Sequence, residues 1–146
     1  MKNYDYIIVG AGASGLLMAY RMSKDSFFDN KQILIIDKEQ KLSNDRTWCF
    51  WEKGTGEWDD ILVTSWKKIQ FKSFIHSLEE PIFPYQYKMI RSKEYYEKIW
   101  NHLATKTNIT FFEDAVVSIH QEENGAKVVT ATNSFYSETV INSILF

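Results

Sequence analysis

Two short apolar runs organise the start of the chain. Residues 6–9 are rich in β-branched side chains and stop at Gly10, and residues 33–36 form a second apolar run that stops at Asp37. Continuous apolar runs of this length are typical of strands in a parallel sheet that is covered on both faces. Between them, apolar positions three and four residues apart predict a helix from about Ser14 to Ser23. The pattern therefore predicts a strand, a glycine turn, a helix and a second strand.

The middle of the chain, residues 38–90, has no helical periodicity of useful length. Apolar and polar positions alternate at residues 69–71 and again at 85–89, which predicts two strands. Between these, residues 79–81 and Pro84 mark a turn or the edge of a sheet. We therefore expect an insertion of antiparallel strands and loops.

The regular pattern returns after Arg91. Ser92 can cap a helix whose apolar positions continue at helical spacing to Leu103. Strands are predicted at residues 109–113, 116–121, 126–132 and around 135–136, the last three as an antiparallel meander, and a further buried run begins at residue 139. The fold class is therefore α/β, a parallel sheet with a β-meander crossover and inserted antiparallel strands.

All 146 residues are predicted to form one domain, with residues 38–90 as its insertion. The sequence closes on an apolar run, residues 144–146, which has no cover in the predicted fold. We therefore expect this domain to be the N-terminal portion of a longer protein.

The composition excludes several classes of protein to which the chain could belong. With 45% hydrophobic and 25% charged residues, the chain is neither disordered nor coiled-coil. A formal net charge of -2 gives no electrostatic case for nucleic acid as a partner. The longest uncharged run, residues 6–20, is interrupted by glycines, is too short to span a bilayer and lacks the features of a signal peptide. The single cysteine, Cys49, suits a reducing compartment, and we expect a cytoplasmic protein.

A glycine motif supplies the first candidate chemistry. It consists of Gly10, Ala11, Gly12, Ala13, Ser14 and Gly15, between a predicted strand and a predicted helix. In this context Gly10 permits a tight turn, Gly12 lets a pyrophosphate approach the backbone, and Gly15 lets the helix pack against the strand. The helix N-terminus then holds the phosphates. The alternative is a glycine turn that binds no ligand.

Asp37 bears on which dinucleotide this motif accepts. At the end of the second strand, its carboxylate is placed to accept hydrogen bonds from the adenosine ribose, and it would repel the 2′-phosphate of NADP. NAD and FAD both remain open. The segment after Asp37 favours FAD, because an inserted segment and a later meander resemble the Rossmann-like FAD-binding domain of the glutathione-reductase-like flavoproteins.

A narrower resemblance begins at residues 44–52, Asn-Asp-Arg-Thr-Trp-Cys-Phe-Trp-Glu. Together with residues 5–16, 87–91 and 140–144, this stretch resembles the start of a bacterial lycopene β-cyclase, over nearly the whole chain. The glycine motif is shared by many flavoproteins, whereas Thr-Trp-Cys-Phe-Trp-Glu is much more particular to the cyclases.

The resemblance implies a redox-neutral reaction. Such cyclases use reduced FAD, without net electron transfer, to convert the open ψ-ends of lycopene into β-ionone rings through an acid-initiated carbocation. Among cofactor contacts it implies Arg46 and the main chain of Val116, and we count Lys38, next to Asp37, with them. For Arg46 the alternative interpretation is an ion pair with an acidic residue at the surface. Arg91 is open to the same two interpretations, a cofactor contact or an exposed arginine. A carotenoid substrate also implies peripheral contact with the inner face of a membrane, although no anchor is visible in the sequence.

Aromatic residues make up 16% of the chain, and thirteen of them fall between Arg46 and Trp100. Trp48, Phe50, Trp51 and Trp58 either line a polyene channel or lie near the flavin, or they fill the core of the inserted sheet.

The remaining candidates carry weaker signals. For Glu52, a solvated charge is favoured over an acid near the channel, and Cys49 is expected to be a small buried apolar residue. His76, His102 and His120 lack metal-ligand spacing, and His102 is expected on the polar side of its helix, so no metal site is assigned.

No catalytic residue is assigned. The acidic motif that bears the proton donor in these cyclases, similar to Phe-Leu-Glu-Glu-Thr, does not occur in the sequence, so the chain alone is not expected to cyclise lycopene. A reductase similar to geranylgeranyl reductases, a hydroxylase similar to aromatic hydroxylases, and a dinucleotide-binding module without activity remain as alternatives.

Overall fold

A six-stranded sheet joins the first and last parts of the chain. The computed structural model describes residues 2–144, in which the chain up to Leu42 and from Tyr96 onward forms one compact unit and residues 43–95 another. The strands and helices are β1 (Lys2–Val9), α1 (Ala13–Met22), β2 (Ile33–Asp37), β3 (Thr47–Lys53), β4 (Leu62–Trp66), β5 (Lys68–Lys72), β6 (Ser77–Pro81), β7 (Tyr85–Arg91), α2 (Ser92–Leu103), β8 (Ile109–Glu113), β9 (Val116–Glu122), β10 (Gly125–Thr130) and β11 (Ser134–Asn142).

The six-stranded sheet has the order β8-β2-β1-β11-β10-β9. Its first four strands run parallel, and β10 and β9 continue it as an antiparallel meander. Ile7, Ile8 and Val9 on β1 are fully buried, and Ile33–Ile36 on β2 are nearly so. Burial on both faces is the reason for their unbroken apolar runs. The fold is therefore the predicted Rossmann-like α/β fold with a β-meander.

The last strand corrects one prediction. Residues 135–136 and 139–142 are predicted in two separate strands, but both belong to β11, which pairs with β1 from Phe135 to Asn142. The polar Ser137 that interrupts the apolar pattern is fully buried, and its hydroxyl donates to the carbonyl oxygen of Asp5 at 2.8 Å. Residues 139–142 are also not a buried run, since Thr139 and Asn142 are exposed. Leu145 and Phe146, at the apolar chain end, lie outside the described residues.

The second unit contains the inserted antiparallel strands. One sheet has the order β3-β7-β4, and a separate two-stranded sheet pairs β5 with β6. Residues 79–81, expected at a turn or an edge, lie within β6, which is an edge strand of its sheet. Whether this segment and the rest of the chain form one domain stays a prediction.

Helix α2 begins at Ser92 itself. The Ser92 hydroxyl accepts from the Arg46 N–H at 3.0 Å and donates to Asp45 Oδ1 at 2.9 Å. Ser92 thus ties the segment before β3 to the start of α2, which is a different task from the predicted cap. Among the described residues, no helix has the length and hydropathy needed to cross a membrane.

Candidate functional site

The glycine turn between β1 and α1 is set by two close approaches. Gly10 has φ of 100°, and a Cβ there would lie 2.4 Å from Ser143 Oγ. A Cβ on Gly15 would lie 1.9 Å from the carbonyl oxygen of Gly10. Both positions therefore require glycine, one for the left-handed turn and one for the contact between helix and strand.

Gly12 differs from both of these glycines. A Cβ on it would meet nothing within 4 Å, and its φ of -75° is open to any residue. Gly12 is also the N-cap of α1, where no side chain caps the helix and no acidic residue lies in the first turn. Ala13 and the exposed Ser14 belong to this first turn. Open space beside the positive end of a helix that no side chain caps suits an anionic group.

Asp37 is bound directly to the glycine turn. Its Oδ2 accepts from the Ala11 N–H at 2.6 Å, and this is the carboxylate's only hydrogen bond within residues 2–144. The bond holds the side chain at the carboxyl ends of β1 and β2, where ligands of such sheets bind. The second carboxylate oxygen remains available for a ligand.

A pocket of about 230 Å³ opens beside Asp37. It is lined by Gly10, Ile36, Asp37, Lys38, Ala115, Val116 and Ile144. The candidates Gly10, Asp37, Lys38 and Val116 thus share one pocket at the end of the parallel strands, and Val116 opens β9 as expected.

Asp114 supports the rim of this pocket and was missed in the sequence. Its carboxylate accepts from the Thr132 hydroxyl at 2.6 Å and from the Ala115 N–H at 2.8 Å. Hydrogen bonds, the largest from the Thr132 side chain, lower the pKa of Asp114 from 3.8 to about 2. The backbone N–H of Asp114 also donates to the carbonyl oxygen of Asp37 at 2.9 Å. Asp114 therefore holds the turn that leads to Val116.

The two candidate arginines lie in the second unit. Arg46 is exposed and forms no ion pair with any described residue, so the surface pairing offered as its alternative is absent there. Its backbone is clamped to Ser92 through both its N–H and its carbonyl oxygen. Arg91 pairs with Glu94 one turn along α2. A cofactor contact by Arg46 stays a prediction.

The three candidate aromatics on β3 are divided between the faces of the three-stranded sheet, and Trp58 lies between β3 and β4. Trp48 and Trp58 pack against the buried Tyr95, with ring centroids 5.3 and 4.9 Å away, and Phe50 shares the half-buried face of β3 with Trp48. Trp51 lies on the opposite face and is 54% exposed. Three of the four thus fit the core interpretation, and Trp51 does not.

The exposed face of this sheet carries a row of aromatic rings. Tyr87 lies 4.9 Å from Trp51 and 5.8 Å from Trp66, measured between ring centroids. Cys49 lies on the same face and is exposed, so the prediction of a buried Cys49 is wrong. Strand alternation explains the error, because Trp48 and Phe50 take the inner positions. A hydrogen bond with Cys49 raises the pKa of the Tyr87 hydroxyl.

The sequence favours a solvated charge for Glu52, but in the structure this residue forms an ion pair with a buried lysine. Its Oε2 accepts at 2.8 Å from Lys88, whose side chain is fully buried and also donates to Asp59 Oδ1 at 2.6 Å and to the Gly54 carbonyl oxygen at 2.7 Å. Burial opposes the charge on Lys88, but its bonds to Asp59 and Glu52 outweigh burial and raise its pKa. Strand alternation could have indicated that Lys88 is buried, because Lys88 lies on the same face of β7 as the buried Ile90.

His102 also departs from expectation. It is half-buried rather than on a polar face, and its Nε2 lies 2.9 Å from Ser23 Oγ while its ring meets that of Tyr20 edge-on. Burial lowers the pKa of His102. No group of His, Cys, Asp and Glu in residues 2–144 is arranged to hold a metal ion.

Three solved structures with similar folds share at most 17% sequence identity with this chain. A p-nitrophenol 4-monooxygenase from Pseudomonas putida superposes with a TM-score of 0.74 at 17% identity, over 97% of this chain and 41% of that one. The halogenase PltM in complex with phloroglucinol and FAD gives 0.68 at 15% identity, over 97% and 34%. A thioredoxin reductase from Gloeobacter violaceus gives 0.54 at 15% identity, also over 97% and 34%. The chain thus spans less than half the length of each.

Sequence comparison is more specific. A search of curated protein sequences finds no significant match. The profile described as lycopene cyclase protein matches residues 5–143, which is nearly the whole chain and includes the glycine turn, Asp37 and both candidate arginines. The chain therefore belongs to the lycopene cyclase family.

Proposed function

We propose that the glycine turn and Asp37 bind the adenosine diphosphate portion of FAD. The observation that carries this proposal is the open space at Gly12, at the N-terminus of α1, where no side chain caps the helix. There the pyrophosphate would meet backbone N–H groups and the positive end of the helix. The free oxygen of Asp37 would accept from the ribose, and the Val116 main chain would meet the adenine in the neighbouring pocket. The fold, shared with a halogenase solved with FAD, supports this choice.

The reaction that we propose for the whole protein is the cyclisation of lycopene ends to β-ionone rings. Family membership supports a carotenoid substrate. When bound in its reduced form, FAD would supply an electron-rich ring that stabilises a carbocation without net electron transfer. In this chain, the exposed rings of Trp51 and Trp66 and the half-buried ring of Tyr87 offer the π-faces that favour both an extended polyene and a developing cation.

The acid that starts this reaction is not assigned to these residues. Phe-Leu-Glu-Glu-Thr itself does not occur in the sequence, where the Leu-Glu-Glu of residues 78–80 lies between Ser77 and Pro81 on the exposed strand β6. Glu52 is engaged by the buried Lys88. We therefore propose that Gly10–Gly15, Asp37, Lys38, Arg46 and Val116 serve the cofactor and that this chain alone does not cyclise lycopene.

Association with a membrane follows from the substrate. Lycopene is soluble in lipid and not in water, so an enzyme that takes it up must reach the bilayer. We propose peripheral contact with the cytoplasmic face of the membrane.

Titration of the protein with FAD tests the cofactor site. The wild type should quench flavin fluorescence, whereas Gly12→Val should not, because its side chain would fill the space proposed for the pyrophosphate. Valine at an N-cap costs about 1 kcal/mol, so the variant should still fold, as circular dichroism and a thermal melt would verify. A folded Gly12→Val protein that binds FAD like the wild type would refute the site.

The reaction is tested by expressing the full reading frame in cells that accumulate lycopene. We expect β-ionone rings in the extracted carotenoids, with reducing equivalents needed only in catalytic amount. Unchanged lycopene would exclude the cyclase, and stoichiometric consumption of reductant would indicate a reductase or a hydroxylase instead.

A further inference from the structure

The β5–β6 hairpin, residues 68–81, is exposed along its entire length. Every residue of both strands is exposed. At its tip, Phe74 and Ile75 are 107% and 82% exposed, and Phe71 and Leu78, the last apolar pair before the tip, are also open to solvent. An isolated two-stranded hairpin is marginally stable in water, and clustered exposed apolar residues indicate a surface that binds something.

The turn of the hairpin fixes how these residues are presented. The Ser73 N–H donates to the carbonyl oxygen of His76 at 2.7 Å, and the His76 N–H donates to Ser73 Oγ at 3.1 Å. These two bonds close the loop on both sides of Phe74 and Ile75. The two apolar side chains therefore form a compact tip.

Charge on the hairpin is distributed unevenly. From Phe71 to Leu78 there is no acidic residue, and Lys72 directly flanks the tip. The acidic residues Glu79 and Glu80 lie toward the base, where Glu79 is neutralised by Lys68 at 2.8 Å. An apolar tip flanked by a cation and free of carboxylates complements an anionic lipid surface.

We propose that the β5–β6 hairpin contacts the membrane, with Phe74 and Ile75 inserted among the lipid headgroups and Lys72 beside anionic phosphates. This inference deepens the membrane association proposed above and rests on it. The depth is limited, because a two-stranded sheet has unpaired N–H and C=O groups at both edges, and hydrocarbon cannot satisfy them. Only the tip side chains enter, and the flexible Lys72 side chain reaches back to the phosphates.

Co-sedimentation with vesicles tests the hairpin. The wild type should bind phosphatidylcholine vesicles that contain phosphatidylglycerol, and F74S/I75S should bind at least about tenfold more weakly through the loss of two buried apolar side chains. The matched control F27S/V117S removes two apolar residues with 63% and 61% exposure elsewhere and should bind like the wild type. Lys72→Gln should weaken binding about fivefold on these vesicles and leave binding to pure phosphatidylcholine unchanged.

The proposal is overturned if the wild type binds neither vesicle, or if F74S/I75S and F27S/V117S lose binding equally. A change of oligomeric state in F74S/I75S without a change in vesicle binding would instead assign the tip to contact between copies of the chain, and would also overturn it. FAD titration of F74S/I75S should match the wild type, so a failure of the hairpin is distinguishable from a failure of the cofactor site.

Discussion

Lys88 Nζ lies 2.8 Å from Glu52 Oε2, although the lysine side chain is fully buried and the glutamate side chain is 29% exposed. Removal of one partner from such a pair leaves unpaired charge in a poorly solvated place. We therefore expect Lys88→Met to lower the free energy of unfolding by about 3 kcal/mol, since Glu52 and Asp59 would both lose their cation. Urea denaturation measures the loss.

A surface pair in the same unit provides the control for Lys88. Lys68 and Glu79 are also 2.8 Å apart, but both side chains are more than half exposed. Lys68→Met should leave the denaturation midpoint unchanged, because solvent screens such pairs. Equal effects of the two substitutions would show that burial of Lys88 does not matter to stability.

The ion pairs of Lys88 with Glu52 and Asp59 predict that the stability of the fold decreases in alkaline solution. The pKa of Lys88 is raised above 10.5 in the folded protein, so its contribution is fully present below pH 10.5 and is lost as pH rises through the folded pKa. The difference in unfolding free energy between the wild type and Lys88→Met should therefore shrink in strongly alkaline solution. Urea denaturation of both proteins across this range measures the difference, and a constant difference would contradict the assignment.

Asp37→Asn separates charge from shape at the candidate ribose site. The amide oxygen can still accept from the Ala11 N–H, so the glycine turn should remain intact. Because hydrogen bonds to a charged acceptor are stronger, we expect the affinity for FAD to fall about tenfold. Flavin fluorescence measures the affinity. Glu113→Gln, at the position paired with Asp37 on β8, is the control and should bind as the wild type does.

Asp114 should titrate far below an ordinary aspartate. Its pKa of about 2 depends first on the Thr132 side chain, so Thr132→Val should bring the pKa back toward 3.8. A lowered pKa stabilises the fold above pH 3.8, and this contribution disappears as pH falls toward 2. Carbon NMR of the carboxyl group measures both pKa values, and Ser118→Ala, which does not contact Asp114, is the control.

Much of the parallel sheet could be predicted because its signals are local. The apolar runs of β1 and β2 and the spacing of glycines between them report burial and steric limits that act within a few residues. The same holds for the candidate pocket, since Gly10 and Asp37 follow directly from the ends of these strands.

The errors arise where a residue's environment depends on distant partners. Nothing near Ser137 in the sequence shows that the carbonyl of Asp5 will accept its hydroxyl, and so β11 was divided. Cys49 was wrongly predicted to be buried, and the buried Lys88 was not identified. The face that each residue occupies depends on the pairing of β3 with β7. Strand register, rather than composition, decides which of these side chains is buried.

Substitution by alanine should affect stability differently at Gly12 and at Gly15. In Gly15→Ala the new Cβ would lie 1.9 Å from the Gly10 carbonyl oxygen, and no rotation of a side chain can relieve a clash with backbone. We expect a loss of about 3 kcal/mol, at the upper end of overpacking costs. Gly12→Ala meets open space and should lose at most about 1 kcal/mol, as expected for alanine at an N-cap. Urea denaturation of both variants, with flavin binding measured on each folded protein, tests this contrast. Similar stability of the two variants would show that α1 does not pack as closely on β1 as the 1.9 Å approach requires.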